Sequence, residues 1–199
     1  TMIFGNAVTV PTGDVIALSH DVPGFGVSGR LWADAIVENL LSKAETFSAW
    51  LLGTHAVLAV STGTATPLGI GTTWKLASAG GASGEATWHL GAGAWPAAGT
   101  ILFFGAYLKQ GTAPDLALQV FDVDTATQRR ATFAWSGSNL TVVSSSTGVT
   151  AAVSNAGLAA GWWRAGWWYT VTSGEEGHDL EAYVHLPITA PFASKDVEV

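Results

Sequence analysis

The chain has 199 residues, of which 48% are hydrophobic and only 12% are charged, and its formal net charge is −7. This length fits one domain of ordinary size, or a domain with a short appendage. The aromatic content excludes a disordered chain, the lack of cysteine excludes a disulfide scaffold, and the negative charge with scattered basic residues argues against a nucleic-acid partner.

The elements predicted in chain order are short strands separated by turn-forming residues, a pattern typical of all-β sandwiches and barrels. In one of them, residues 180–186, apolar and polar residues alternate so that Glu181, Tyr183 and His185 face outward. The predicted strands are Ala7–Val10, Val15–Ser19, Ala56–Val60, Thr73–Ala77, Glu85–Leu90, Ile101–Lys109, Leu116–Asp122, Arg130–Trp135, Leu140–Val143, Gly166–Thr172 and Leu180–Leu186.

A change in composition near residue 37 divides the chain. Residues 1–37 carry turn signals and are predicted to form a short β arm, too small for a core of its own. Residues 38–190 are long enough for an antiparallel β-sandwich, and residues 191–199 are predicted to be a loose polar tail. At the junction, the apolar residues between Ala35 and Phe47 fit a 3.6-residue period, and a short helix and an extended strand are equally compatible with them.

The low charge of the chain indicates association rather than membrane insertion. The longest charge-free stretch, residues 131–163, is rich in Ser, Thr, Gly and Asn, whereas a spanning helix needs about 20 mostly apolar residues. No basic and then apolar leader begins the chain. A protein with so few charges cannot coat its surface with them, so we expect part of its exterior to face copies of itself or other subunits.

Four short motifs occur in order between residues 39 and 186. They are NLLSKAETFSAW at 39–50, FFGAYLKQG at 103–111, ATFAWSG at 131–137 and GWWR at 161–164. Together they resemble the jelly-roll domains of bacteriophage virion proteins, which occur in tail fibres, tail-tip proteins and head appendages and are similar to carbohydrate-binding modules. The resemblance implies a jelly-roll β-sandwich without a catalytic residue or cofactor.

The leading segment carries a second resemblance. Residues 13–26, GDVIALSHDVPGFG, are similar to a stretch of phage tail-tip host-specificity proteins. The two resemblances together imply a non-catalytic virion protein on the particle surface, in a tail tip or tail fibre, with other virion subunits as partners, a trimer as the favoured oligomer and host-surface glycan as the ligand. Two alternatives stay open: a capsid decoration protein with no ligand, and the binding module of a carbohydrate-active enzyme.

The tryptophans are the main candidates for ligand or interface contacts, because their large faces can stack on sugar rings or on a neighbouring subunit. Consecutive residues of a strand point to opposite faces, so at most one ring of each tryptophan doublet can enter the core. Two tryptophans are therefore predicted to point out of the core, where a neighbouring subunit or another loop is expected to cover them; a glycan platform and plain exposure are the alternatives. The candidate residues are Trp88, Trp95, Trp162, Trp163, Trp167, Trp168 and, with them, Tyr183.

The acidic residues favour turns over chemistry. Asp122 and Asp124 are interpreted as a solvated turn. The alternative is a calcium site that Asp115 could join. A catalytic role is not favoured, because a glycosidase needs two acids that converge around the bond. The polar stretch from Ser173 to Asp179 is predicted to be a hairpin tip. The five histidines lack zinc-binding spacing.

Overall fold

The chain is built from β-strands throughout the part that the computed structural model describes, which is residues 2–7, 36–39, 49–60, 66–67, 73–192 and 194–199. The all-β prediction is confirmed. No helix in these ranges is long and apolar enough to cross a bilayer. The strands are β1 (Met2–Ala7), β2 (Ile36–Asn39), β3 (Leu51–Leu52), β4 (Ala56–Val60), β5 (Trp74–Ser78), β6 (Gly84–Gly91), β7 (Ile101–Gln110), β8 (Asp115–Asp122), β9 (Thr127–Ser136), β10 (Asn139–Ser145), β11 (Val149–Ser154), β12 (Trp162–Thr170), β13 (Leu180–Leu186) and β14 (Asp196–Glu198).

The strands form two sheets whose described pairings are antiparallel. The first sheet has the order β11-β12-β7-β14-β5-β4, with β1 beside β7 and β2 beside β1. The second sheet has the order β10-β9-β8-β13-β6-β3. This arrangement confirms the antiparallel sandwich, whereas the jelly-roll subtype stays a prediction.

The core lies between the two sheets and follows from residue alternation. Along β8, Leu116, Leu118 and Val120 are fully buried and share one face, because successive side chains of a strand point to opposite sides. The even-numbered residues of β13 are buried in the same way. Each large apolar side chain that folding removes from water contributes about 1.5–3 kcal/mol, so this shared interior is the main source of stability.

Trp167 of β12 ties the first sheet to the second across this core. Its side chain is fully buried, and its indole Nε1–H donates a 2.9 Å hydrogen bond to the backbone oxygen of Leu118 in β8. The ring meets Phe104 edge to face, with centroids 6.0 Å apart and an interplanar angle of 83°. A buried indole N–H is costly without an acceptor, so the carbonyl of Leu118 fixes how the two sheets face each other.

The predicted ends of the chain need correction. The loose tail predicted for residues 191–199 is wrong over 196–198, because β14 pairs with β5 and β7 and Val197 is fully buried between them. Residues 2–7 of the predicted arm pair with β7 as part of the first sheet. The rest of the arm, including the predicted strand 15–19, lies outside the described residues apart from β2.

The structure describes only part of the junction between the arm and the sandwich. Residues 36–39 are a strand, β2, paired with β1, so the helical interpretation is wrong for these four residues, and residues 40–48 lie outside the described ranges. The short strands β3 and β11 were not among the predicted elements. β11 is the strand at one end of the first sheet, and its sequence VTAAVS has too little apolar contrast to show alternation.

We expect Trp167→Phe to lower the free energy of unfolding by about 2–4 kcal/mol, since it removes the hydrogen bond to Leu118 and leaves a cavity. Urea denaturation measures the change. Trp163→Phe is the matched control, because Trp163 is half-buried and its Nε1–H donates to Ser138 in a turn; a loss below about 1 kcal/mol is expected there. Equal losses in both variants would contradict the role given to Trp167.

Candidate functional site

The outer face of the second sheet collects polar side chains from four neighbouring strands. The inward residues of these strands belong to the core, so the alternate residues point away from it. The register sets Tyr183 of β13 opposite Gln119 of β8 and Thr87 of β6, and Gln119 opposite Arg130 of β9. We call this surface the polar face; it consists of Glu85, Thr87, Ala117, Gln119, Arg130, Thr132, Glu181, Tyr183 and His185.

Two aromatic rings stack at the centre of the polar face. Tyr183 and His185 are two residues apart on β13, and their rings are parallel within 5° with centroids 5.3 Å apart. Ala117 lies opposite His185 on β8 and is fully buried. Both rings are half-buried, so they form a rigid aromatic patch in an otherwise polar surface.

His185 is held in its neutral form. Burial, with a smaller contribution from the charge of Arg130, lowers the pKa of His185 to about 4. Its Nδ1 lies 3.6 Å from a carboxylate oxygen of Glu85, which is beyond hydrogen-bond distance. Its Nε2 is buried and has no hydrogen-bond partner among the described residues.

Gln119 and Arg130 also retain unused hydrogen-bonding groups. Gln119 is only 8% exposed, Arg130 is half-buried, and neither side chain has a hydrogen bond within the described part of the chain. Burial lowers the pKa of Arg130, and the nearby charge of Asp115 opposes that change. Most buried polar groups in proteins have a hydrogen-bond partner within the protein. The side chains of Gln119 and Arg130 are two neighbouring exceptions on the polar face.

Carboxylates border the polar face, and two of them are already engaged. Asp115 accepts hydrogen bonds from the backbone N–H groups of Ile188 and Thr189 and from the Thr189 hydroxyl. Glu181 accepts from the Tyr183 hydroxyl; burial, together with that hydrogen bond, raises the pKa of Tyr183. Asp115 thus fixes the segment after β13, and Tyr183 remains a neutral donor.

The calcium alternative receives only part of its predicted ligand set. Asp122, Asp124 and His178 place one ligand atom each within 4.8 Å of the others, but Asp115 begins the strand that Asp122 ends, about 23 Å away at 3.3 Å per residue. Asp122 accepts from two backbone N–H groups of its own turn and contacts His178 Nδ1 at 2.8 Å. These contacts account for the cluster as a hydrogen-bonded turn.

The six candidate tryptophans differ in their burial and in the side of the sheet on which they lie. Trp95 and Trp167 are buried in the core, and Trp162 is buried on the outer side of the first sheet with 1% exposure. Trp88, Trp163 and Trp168 are half-buried. Alternation decides that Trp162 and Trp168 point away from the core, and burial within the chain covers Trp162 fully and Trp168 in part.

The loop from Ser173 to Asp179 is not the predicted hairpin tip. It links β12 of the first sheet to β13 of the second, and buried Glu175 organises it by accepting from the backbone N–H and hydroxyl of Thr172, from Tyr169 and from Arg129. Burial by itself would raise the pKa of Glu175, but these hydrogen bonds and the charge of Arg129 lower it below its ordinary value. The loop is thus a stabilised crossing between the sheets.

Sequence reasoning found part of the polar face and missed the rest. The alternation in residues 180–186 placed Tyr183 and His185 outward, as observed. Gln119 and Arg130 were not singled out, although Gln119 is the one polar residue inside the apolar run of β8. Their proximity depends on the pairing of β8 with β9, which no local pattern reveals.

Comparisons with known proteins include a distant structural similarity. No family model matches the chain, and no curated protein matches it. Among solved structures, the chain is similar to the crystal structure of the enzymatically active domain of tailspike protein 4 from bacteriophage CBA120, with a TM-score of 0.44 and 11% sequence identity. The similarity covers 81% of this chain and 20% of that chain, so this chain spans about a fifth of the neighbour's length.

We expect Glu175→Gln to reduce the free energy of unfolding at pH 7 by about 2 kcal/mol, because it removes the negative charge beside Arg129. A folded pKa below the unfolded one stabilises the fold above about pH 4.5, and this contribution is lost as the pH falls through the folded pKa. The gap between wild type and variant should therefore narrow in acid, as measured by urea denaturation from pH 7 to pH 3.

Glu176→Gln is the control for this loop, since Glu176 is exposed and accepts only from the backbone of Gly174. It should leave the stability curve close to that of the wild type. A Glu175→Gln variant whose deficit stays constant from neutral to acid pH would refute the assigned role of the carboxylate.

Proposed function

We propose that this chain is a non-catalytic bacteriophage virion protein of the tail tip or tail fibre, exposed on the particle surface, that attaches to host-surface glycan. The motifs at 39–50, 103–111, 131–137 and 161–164 support the phage assignment through their resemblance to virion jelly-roll domains. The carrying observation is the polar face, where the stacked rings of Tyr183 and His185 adjoin Gln119 and Arg130, whose side chains form no hydrogen bond with another described residue.

Sugars suit such a surface for two physical reasons. A sugar ring has an apolar face that can lie on an aromatic side chain, and the Tyr183–His185 pair offers a fixed aromatic surface. A sugar also carries many hydroxyl groups, which need placed donors and acceptors for orientation and specificity. Gln119, which is 8% exposed, and half-buried Arg130 can supply these without first breaking a side-chain hydrogen bond to another described residue.

A binding role accounts for the acids of the polar face better than a hydrolytic one. A glycosidase uses one carboxyl group as a proton donor and a second as base or nucleophile. Here Asp115 is occupied by three donors from residues 188–189, and Glu181 is occupied by the Tyr183 hydroxyl. Neither is poised to protonate a leaving group.

Association with other virion subunits, with a trimer favoured, is part of the same proposal. The low charge of the chain supports it, and so do apolar side chains at the sandwich edges. Leu51 and Leu52 of β3 are 68% and 41% exposed, and Val57 of β4 is 49% exposed. β3 and β4 end their respective sheets along the described path, and exposed apolar edge strands readily pair with another chain.

We expect Tyr183→Ala to weaken glycan binding at least tenfold, since it removes half of the stacked pair and the donor to Glu181. Binding is measured on an array of bacterial surface polysaccharides and then by titration calorimetry with the polysaccharide that binds. Thr141→Ala is the control, because Thr141 is an exposed residue of β10 away from the stacked rings.

Both variants should melt at nearly the wild-type temperature, which separates binding from folding. The proposal fails if the wild-type protein binds no polysaccharide, or if Tyr183→Ala binds as tightly as the wild type.

A further inference from the structure

Arg130 lies on β9, at one side of the polar face. Arg130 is half-buried, and its guanidinium has no hydrogen-bonded partner in the described part of the chain. Arg129, the preceding residue, shows how this fold treats an arginine used for structure: its Nη2 donates to both Tyr169 and Glu175, and its guanidinium lies 4.5 Å from the centre of the Tyr169 ring. The two neighbours thus have opposite environments.

The nearest acid does not neutralise Arg130 by a direct bond. Asp115 interacts with it through charge alone, and its oxygens accept from Ile188 and Thr189. The five N–H donors of an arginine form a planar fork that matches the two oxygens of a carboxylate. This fork is available on the polar face, with no carboxylate of the described chain bound to it.

Gln119 lies beside Arg130 and extends the same recognition element. The two residues are paired across β8 and β9, and adjacent strands are about 4.8 Å apart. Gln119 is 8% exposed and its amide forms no hydrogen bond with another described residue, so it can donate to the same ligand group. On its other side Gln119 is paired with Tyr183, which puts Arg130, Gln119 and Tyr183 in one cross-strand row, next to the row that contains His185.

The opposite side of the polar face has the opposite charge. Glu85 of β6 is paired with His185, and Glu181 lies two residues from Tyr183 on β13. These carboxylates can accept from sugar hydroxyls but repel an anion. His185 is neutral because its pKa is about 4, so it adds no positive charge there. A ligand is thereby oriented, with its anionic group toward β9 and its neutral hydroxyl groups toward β6.

We propose that the polar face recognises an acidic sugar, and that Arg130 and Gln119 hold the sugar's carboxylate while Tyr183 and His185 stack on a ring of the glycan. This inference rests on the proposed glycan-binding function and names the class of glycan. A charge-assisted, two-pronged contact between arginine and carboxylate is stronger and more directional than a neutral hydrogen bond, so the acidic group governs selectivity among host polysaccharides.

The test uses bacterial surface polysaccharides that contain uronic acids, each assayed intact and after its carboxyl groups have been reduced to primary alcohols. Wild-type protein should bind the intact form and lose at least thirtyfold in affinity for the reduced form. Arg130→Gln should bind the intact form about as weakly as the wild type binds the reduced form, and it should be insensitive to the reduction, because both changes remove the same contact.

Two further variants separate fork geometry from charge. Arg130→Lys keeps the positive charge without the planar fork, and an affinity loss of about tenfold is expected. Lys75→Gln removes a positive charge from β5, where Lys75 pairs with Asp196, and it should leave the affinity unchanged. Thermal melting of all variants shows whether each remains folded.

The outcomes distinguish the two proposals. If neutral and acidic polysaccharides bind equally well, or if binding survives carboxyl reduction but not removal of phosphate groups, the acidic-sugar assignment is overturned while the glycan-binding function stands. If Tyr183→Ala abolishes binding and Arg130→Gln does not change it, the same conclusion follows. If no polysaccharide binds the wild-type protein, both proposals are overturned.

Discussion

The contact between the Trp167 indole and the Leu118 carbonyl joins the two sheets at the centre of the sandwich. Stacked sheets lie about 10 Å apart, and a tryptophan is large enough to cross that distance and reach the opposite backbone. Once Leu118 faces inward, the period of two along β8 decides the direction of its neighbours. Ala117 and Gln119 must then point outward, so the interaction that orders the core also defines the opposite surface.

The polar face is therefore a consequence of the core. β13 follows the same rule, with Ala182 and Val184 fully buried and Tyr183 and His185 on the outside. Antiparallel register then aligns Arg130, Gln119 and Tyr183 across three neighbouring strands. A binding surface on central strands holds its side chains more rigidly than one on loops, because each strand is hydrogen-bonded on both sides. This rigidity suits the proposed binding of host-surface glycan.

The parts of this structure that are local in origin could be predicted, and those that depend on partner strands could not. The alternation in 180–186 predicted the outward position of Tyr183 correctly. The loop from 173 to 179 resembled a hairpin tip because its composition is polar. The composition of a loop does not show whether the strands before and after it belong to the same sheet. Asp115 and Asp122 looked close in sequence, yet a strand places them at opposite ends.

Two other features have equally physical causes. Residues 196–199 read DVEV and alternate, but the polar residues before them led to the prediction of a loose tail, whereas a gap between β5 and β7 accommodates Val197. Trp162 points away from the core as alternation requires, and is nevertheless covered. In both cases the outcome depends on what lies beside the segment in space.

The most direct test of the account is a two-dimensional NMR titration of the ¹⁵N-labelled chain with an oligosaccharide cut from a polysaccharide that binds. The account predicts that the amide signals that shift belong to residues 117–119, 130–132 and 181–185. Shifts confined to the outer side of the first sheet, around residues 103–107 and 162–168, would show that ligands use the tryptophan-rich surface instead and would contradict the assignment of the polar face.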